Sequence, residues 1–120
     1  MPRYVDGFVI PVPKRKLAAY RRMARIGGKV WKDQGALAYF ECVGEDLKAT
    51  FTLSFTKMAK IKPGETVVFS FIVYKSRKDR DRINAKVMKD PRLLPLMDPK
   101  KMPFDCKRMA YGGFKAMVNL

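Results

Sequence analysis

Two strands that are apolar on both sides constrain this chain more than any other feature. From Tyr4 to Val12 the side chains alternate, with Tyr4, Asp6, Phe8, Ile10 and Val12 on one side and Val5, Gly7 and Val9 on the other; this is the period of a β-strand. From Thr66 to Tyr74, Val67, Phe69, Phe71 and Val73 back onto Val68, Ser70, Ile72 and Tyr74. A sheet built on such strands needs cover on both faces. The element order reads strand, helix, strand, strand, helix, strand, which supplies two helices and puts both on one face of an antiparallel sheet. That is a ferredoxin-like split βαβ arrangement of the α+β class. Burying one Val, Leu or Phe is worth about 1.5–3 kcal/mol. Several of them left in water would cost more than the margin of about 5–15 kcal/mol by which a domain is stable. The second face is therefore expected to close on a second copy of the chain, giving a homodimeric α+β barrel.

The remaining elements follow from local signals. Lys14 to about Lys32 carries one helical stripe of Leu17, Tyr20, Ala24, Gly27 or Gly28, and Trp31. The adjacent glycines weaken helix propensity, so either close packing on the sheet or a kink is expected there. Ala36 to Val43 alternates as a second strand, with Leu37, Tyr39, Glu41 and Val43 sharing a side, and Thr50 to Phe55 reads as a short extra strand able to cover part of the second face. Lys62 to Glu65 has turn composition. Ser76 followed by Asp79 resembles a capping box before a helix from Arg77 to about Lys89, ended by Asp90-Pro91. Pro91 to Pro103 reads as a charged, proline-rich loop, and Lys107 to Val118 as the last strand, with a bulge or a close backbone contact at Gly112-Gly113. Met88, Met97, Met102, Met109 and Met117 read as soft core filling.

At 120 residues the chain is expected to form one domain spanning 1–120. No apolar run reaches the ~18 residues that a membrane helix requires, and the N-terminal residues carry charge where a secretory signal needs an apolar core. Cytoplasm is the expected location, with Cys42 and Cys106 free. The chain has no histidine, which excludes histidine-based triads, most zinc sites and the usual proton shuttle near neutral pH. No nucleotide-loop or calcium-loop pattern is present. Neither a metal site nor a cofactor is predicted.

Two groups of residues are candidates for a site. The first is polar residues on apolar faces: Asp6 and Glu41 on strands, Arg80 and Asn84 among Ile83, Val87 and Met88 on the second helix, and Arg108 at the start of the last strand. Buried charges need partners. An ion-pair network fixing the helix to the sheet is one reading. A second is a pocket for a small polar or anionic ligand, lined by Trp31, Arg80, Asn84 and Arg108. A third makes Asp6 or Glu41 a general base. The second group is the basic surface. The formal net charge is +15; eight cations and no acid fall between Lys14 and Lys32, and eight cations with three acids between Lys75 and Arg92. Both helices lie on one face, so Arg22, Arg25, Lys29, Lys78, Arg82 and Lys86 form a positive plate that is either solvated or binds RNA or another polyanion. The strand aromatics read as buried, which leaves no stacking platform.

Several runs are similar to the YbaA-like family, a domain of unknown function. They are Tyr-Val-Asp-Gly-Phe at 4–8, Gly-Ala-Leu at 35–37, Glu-Thr-Val-Val-Phe-Ser at 65–70, Arg-Asp at 80–81, Lys-Val-Met-Lys-Asp-Pro-Arg at 86–92 and Met-Pro-Phe-Asp-Cys-Lys-Arg-Met-Ala-Tyr-Gly-Gly-Phe at 102–114. The resemblance implies a dimeric α+β barrel and no assigned activity. Wider relatives imply a third class, cofactor-independent oxygenases or isomerases that work in the cleft between sheet and helices. Trp-Lys-Asp-Gln at 31–34 departs from a family pattern of Trp-Lys-Glu-His, and Gln34 cannot shuttle a proton as histidine would.

Overall fold

Strand β1 (Tyr4–Pro13) runs through the interior of a four-stranded antiparallel sheet, in a computed structural model that describes residues 2–120. With β2 (Ala38–Val43), β3 (Glu65–Tyr74) and β4 (Ala110–Lys115) it forms the order β2-β3-β1-β4. Val9 faces Phe69 and Ala110, and Gly7 faces Phe71 and Gly112. That register puts Asp6, Ile10, Val68, Ile72 and Tyr74 on one face, and Val5, Val9, Phe69, Phe71, Phe40 and Phe114 on the other.

Helices α1 (Leu17–Asp33) and α3 (Arg77–Val87) cover the first face. Two apolar clusters lie beneath them. One joins Tyr20 and Ala24 to Ile10, Val12 and Val68; the other joins Val30, Ile83, Val87 and Leu93 to Tyr4, Ile72 and Tyr74. The α+β, ferredoxin-like arrangement expected from the element order is the arrangement formed. Of the two readings of the glycine pair, close packing holds. A Cβ built on Gly28 would stand 2.7 Å from the Tyr39 ring, so only glycine lets α1 approach β2 this closely.

Several local expectations are corrected. Thr50–Phe55 is not a strand: residues 44–54 carry no strand, and Ser54 caps a one-turn helix α2 (Phe55–Met58) by accepting from the Lys57 amide. The run joins no ladder of the sheet, and alternation by itself supplies no partner for backbone hydrogen bonds. Helix α2 packs against β3, and the Phe55 and Phe69 rings lie 6.2 Å apart, so this segment shelters one end of the second face. The last strand is shorter than expected, because Cys106–Arg108 forms a 3-10 turn and places Arg108 before the strand. Gly112 and Gly113 stay in continuous register, so there is no bulge there; a Cβ on Gly113 would run into Tyr4 and Arg80, which is the close contact. Ser76 accepts from the Asp79 amide as a helix cap, while the Asp79 carboxylate turns to Arg82 at 3.2 Å. Met88, Met97 and Met117 are exposed rather than core; Met109 packs on the core.

Candidate functional site

The polar residues foreseen on β1 and α3 meet beneath α3. Asp6 is 1% exposed. Its Oδ2 accepts from Asn84 Nδ2 at 3.3 Å and lies 3.1 Å from the Tyr74 hydroxyl. Asn84 Oδ1 accepts from Trp31 Nε1 at 3.0 Å. Arg80, one helical turn before Asn84, holds its Nε 3.6 Å from Asp6 Oδ1 and donates from Nη2 to the Tyr4 hydroxyl at 3.2 Å. Its guanidinium lies 4.9 Å from the Tyr4 ring centroid. Burial works against the Arg80 charge, but Tyr4 and Asp6 outweigh it and raise its pKa. Burial, then Asp6, raises that of Tyr74. The structure thus brings together Asp6, Arg80, Asn84 and Trp31 in a network that ties α3 and α1 to the sheet, with Asp6 Oδ1 and Arg80 Nε facing each other as an ion pair without a hydrogen bond.

Arg108 is not part of that network. Its Nη1 and Nη2 donate to the two Glu65 carboxylate oxygens at 2.6 and 2.9 Å, and Nη2 also donates to the Lys60 carbonyl at 2.9 Å. This fork clamps the 3-10 turn before β4 to the start of β3. The physical reason is the turn itself, which directs Arg108 to Glu65 instead of along the last strand.

Glu41 sits in a different place. Strand β2 is outermost in the sheet, and α1 overhangs it, leaving a cleft of about 830 Å³ between them. Its floor is Tyr20, Ala24, Gly28, Tyr39, Glu41 and Val68. Glu41 Oε1 accepts from the Tyr20 hydroxyl at 2.7 Å and Oε2 from the Tyr39 hydroxyl at 2.6 Å. Burial first, and then the Glu41 charge, raises the pKa of both tyrosines, so both keep their protons and donate. Arg21, Arg25 and Lys29 rim the cleft from the next row of α1, and none of them forms an ion pair among the described residues. Lys32 donates to the Leu37 carbonyl, and Asp33 pairs with Arg92 at 2.7 Å. The tyrosines were missed as partners of Glu41. The signal was the i, i+2 spacing of Tyr39 and Glu41 on one strand side.

Arg22, Arg25 and Lys29 on α1 and Lys78, Arg82 and Lys86 on α3 are all exposed; Arg82 is partly neutralised by Asp79. The strand aromatics depart from expectation. On the face away from the helices Phe40, Phe69 and Phe114 are 52%, 44% and 61% exposed in the single chain, and Phe40 stacks on Phe71 with centroids 4.9 Å apart. Between Val5 and Val9, Val67 and Val73, Ala38 and Cys42, and Ala110 and Phe114, every side chain on that face is uncharged.

The model of a family described as "Protein of unknown function (DUF1428)" matches residues 3–106. The chain belongs to that family. It is 43% identical over 117 residues to "Uncharacterized protein YbaA" of Escherichia coli (strain K12), a match that covers 98% of each chain. Among solved structures it is similar to a dimeric ferredoxin-like protein from an uncultured marine organism, with TM-score 0.63 and 11% identity over 100% of both chains. It is also similar to a nipsnap family protein with unknown function from Agrobacterium tumefaciens, with TM-score 0.58 and 16% identity over 96% of this chain and 88% of that one. At these identities the likeness to solved structures concerns the fold. No helix among the described residues is long and apolar enough to cross a membrane.

Proposed function

We propose that this DUF1428 protein is a homodimeric module that binds a small molecule in the cleft between α1 and β2. The observation that carries the reading is the cleft, about 830 Å³ with apolar walls and one carboxylate held by two tyrosine hydroxyls. A concave, largely apolar space with a few convergent polar groups is the usual form of a ligand site. The Asp6–Arg80–Asn84–Trp31 network supports the architecture around it, and Asp6 within it is buried, so Glu41 rather than Asp6 is the carboxylate available to a ligand.

Pairing with a second copy is supported by the uncharged outer face of the sheet. The cations of the α1 and α3 plate lie on the opposite side of the sheet, so a polyanion bound there would leave this face bare; its exposed phenylalanines suit another apolar sheet. A reducing compartment such as the cytoplasm fits two cysteines that stand free.

The test uses the neutral dye N-phenyl-1-naphthylamine, whose fluorescence rises in apolar surroundings. Wild-type protein should bind it saturably, and Val43→Trp, which narrows the cleft at an exposed position, should expel it. Dye binding unchanged in Val43→Trp overturns the cleft as the site. Sedimentation as a single copy at micromolar protein overturns the dimer.

A further inference from the structure

The cleft has polarity as well as size. Both oxygens of Glu41 already accept a hydrogen bond from a tyrosine hydroxyl, and among the floor residues named above its remaining lone pairs are the carboxylate surface. A ligand group resting there must donate a hydrogen bond, because a second anion would face Glu41 across an apolar space where charges are poorly screened. The rim is the opposite. Arg21, Arg25 and Lys29 recur every four residues along α1, one row out from the floor residues Tyr20, Ala24 and Gly28; none of the three forms an ion pair among the described residues, and Asp33, which also lines the cleft four residues beyond Lys29, pairs with Arg92. Leu17 and Val43 add apolar surface to the lining.

Resting on the cleft being the ligand site, we infer that it takes a hydroxy or amino acid in the chemical sense. Such a ligand has an apolar ring or short chain with a hydrogen-bond donor at its inner end for Glu41. At its outer end it has a carboxylate, or a comparable anion, for Arg25 and Lys29. The two ends are unequal in weight. The donor meets a charged acceptor in a partly buried place, so it should dominate affinity. The anion meets exposed cations, so it contributes less, and that contribution falls as salt rises.

The probe that tests this is 6-hydroxy-2-naphthoate, followed by its own fluorescence or by displacement of the neutral dye. Blocking its hydroxyl as the methyl ether should weaken binding about tenfold or more, the usual scale for a hydrogen bond to a charged group. Blocking its carboxylate as the methyl ester should weaken it by about two- to fivefold in dilute buffer, and that difference should shrink at high salt. Arg25→Glu with Lys29→Glu, both on the surface, should remove the preference for acid over ester. Glu41→Gln should reduce the preference for the free hydroxyl. The ligand series is read on wild-type protein, so it stands even if the Glu41 variant fails to fold. Equal binding of hydroxyl and ether, or of acid and ester in dilute buffer, overturns the inference. If the neutral dye is nonetheless expelled by Val43→Trp, the cleft survives as a site and only its ligand class falls; if the dye is not expelled, both fall together.

Discussion

Adjacent glycines in one helix should respond oppositely to the same substitution. A Cβ on Gly28 would lie 2.7 and 2.8 Å from the Cδ1 and Cε1 atoms of Tyr39. That ring has little freedom to retreat, because its hydroxyl is held by Glu41 at 2.6 Å and its face packs near Trp31 with centroids 6.2 Å apart. Forcing one carbon into a packed site costs about 1–3 kcal/mol, while alanine in a helix interior returns about 0.5–1 kcal/mol. Gly28→Ala should therefore lose on the order of 1 kcal/mol net. The nearest atoms to a Cβ on Gly27 are 3.8 Å away, an ordinary contact. Gly27→Ala should therefore gain about 0.5–1 kcal/mol, from helix propensity alone. Urea denaturation followed by circular dichroism measures both, at one fixed protein concentration so that any dimerisation enters equally. Midpoints that move together, in either direction, would refute the claim that Gly28 is where α1 touches the sheet.

Three further outcomes are expected. Arg80→Ala leaves Asp6 buried without its cation and should destabilise by about 3–5 kcal/mol, measured by the same denaturation; a loss below about 1 kcal/mol would mean that the network does not hold α3 in place. The Arg108 guanidinium, helped by the Lys62 amide, holds the Glu65 carboxyl down at about 2, against about 4.3 in an unfolded chain. Stability from that pair is thus complete above about 4.3 and is lost as pH falls toward 2. The difference in thermal midpoint between wild type and Glu65→Gln should shrink across that window, and a difference that stays constant with pH would contradict it. Cys42 lies on the uncharged sheet face and Cys106 in a surface turn, both exposed in the single chain. A thiol reagent should modify Cys106 quickly and Cys42 slowly, with the slow rate rising on dilution; equal fast rates at every concentration would count against burial of that face.

The fold was legible because its signals are redundant. Strands β1 and β3 each alternate over ten residues, and Ser76 marks the start of α3 by a cap that works locally. Thr50–Phe55 misled for the converse reason: alternation over six residues says nothing about whether a neighbouring strand exists to pair with. Asp6, Arg80, Asn84 and Trp31 could be grouped because helical spacing and strand side place them on facing surfaces. Arg108 could not, since its direction depends on a 3-10 turn with no periodic signature. The cleft was hidden more deeply. Glu41 was visible as a carboxylate on an apolar side, but its tyrosines come from two elements, and the empty space between them is a property of how far α1 overhangs β2.

The molecule is a slab, 38 × 36 × 20 Å, whose bare side carries no ionised group between the strand ends. Two slabs stacked bare side inward would keep their surplus positive charge off the seam. At physiological ionic strength electrostatic influence fades over about 8 Å, less than the thickness of one slab, so a highly cationic chain can still assemble with its own kind. In nearly salt-free water the reach grows to about 30 Å at 0.01 M, and the halves of such a pair would begin to sense each other's charge through the sheets. In such a pair, ionic strength would be the dial that sets how tightly the halves hold.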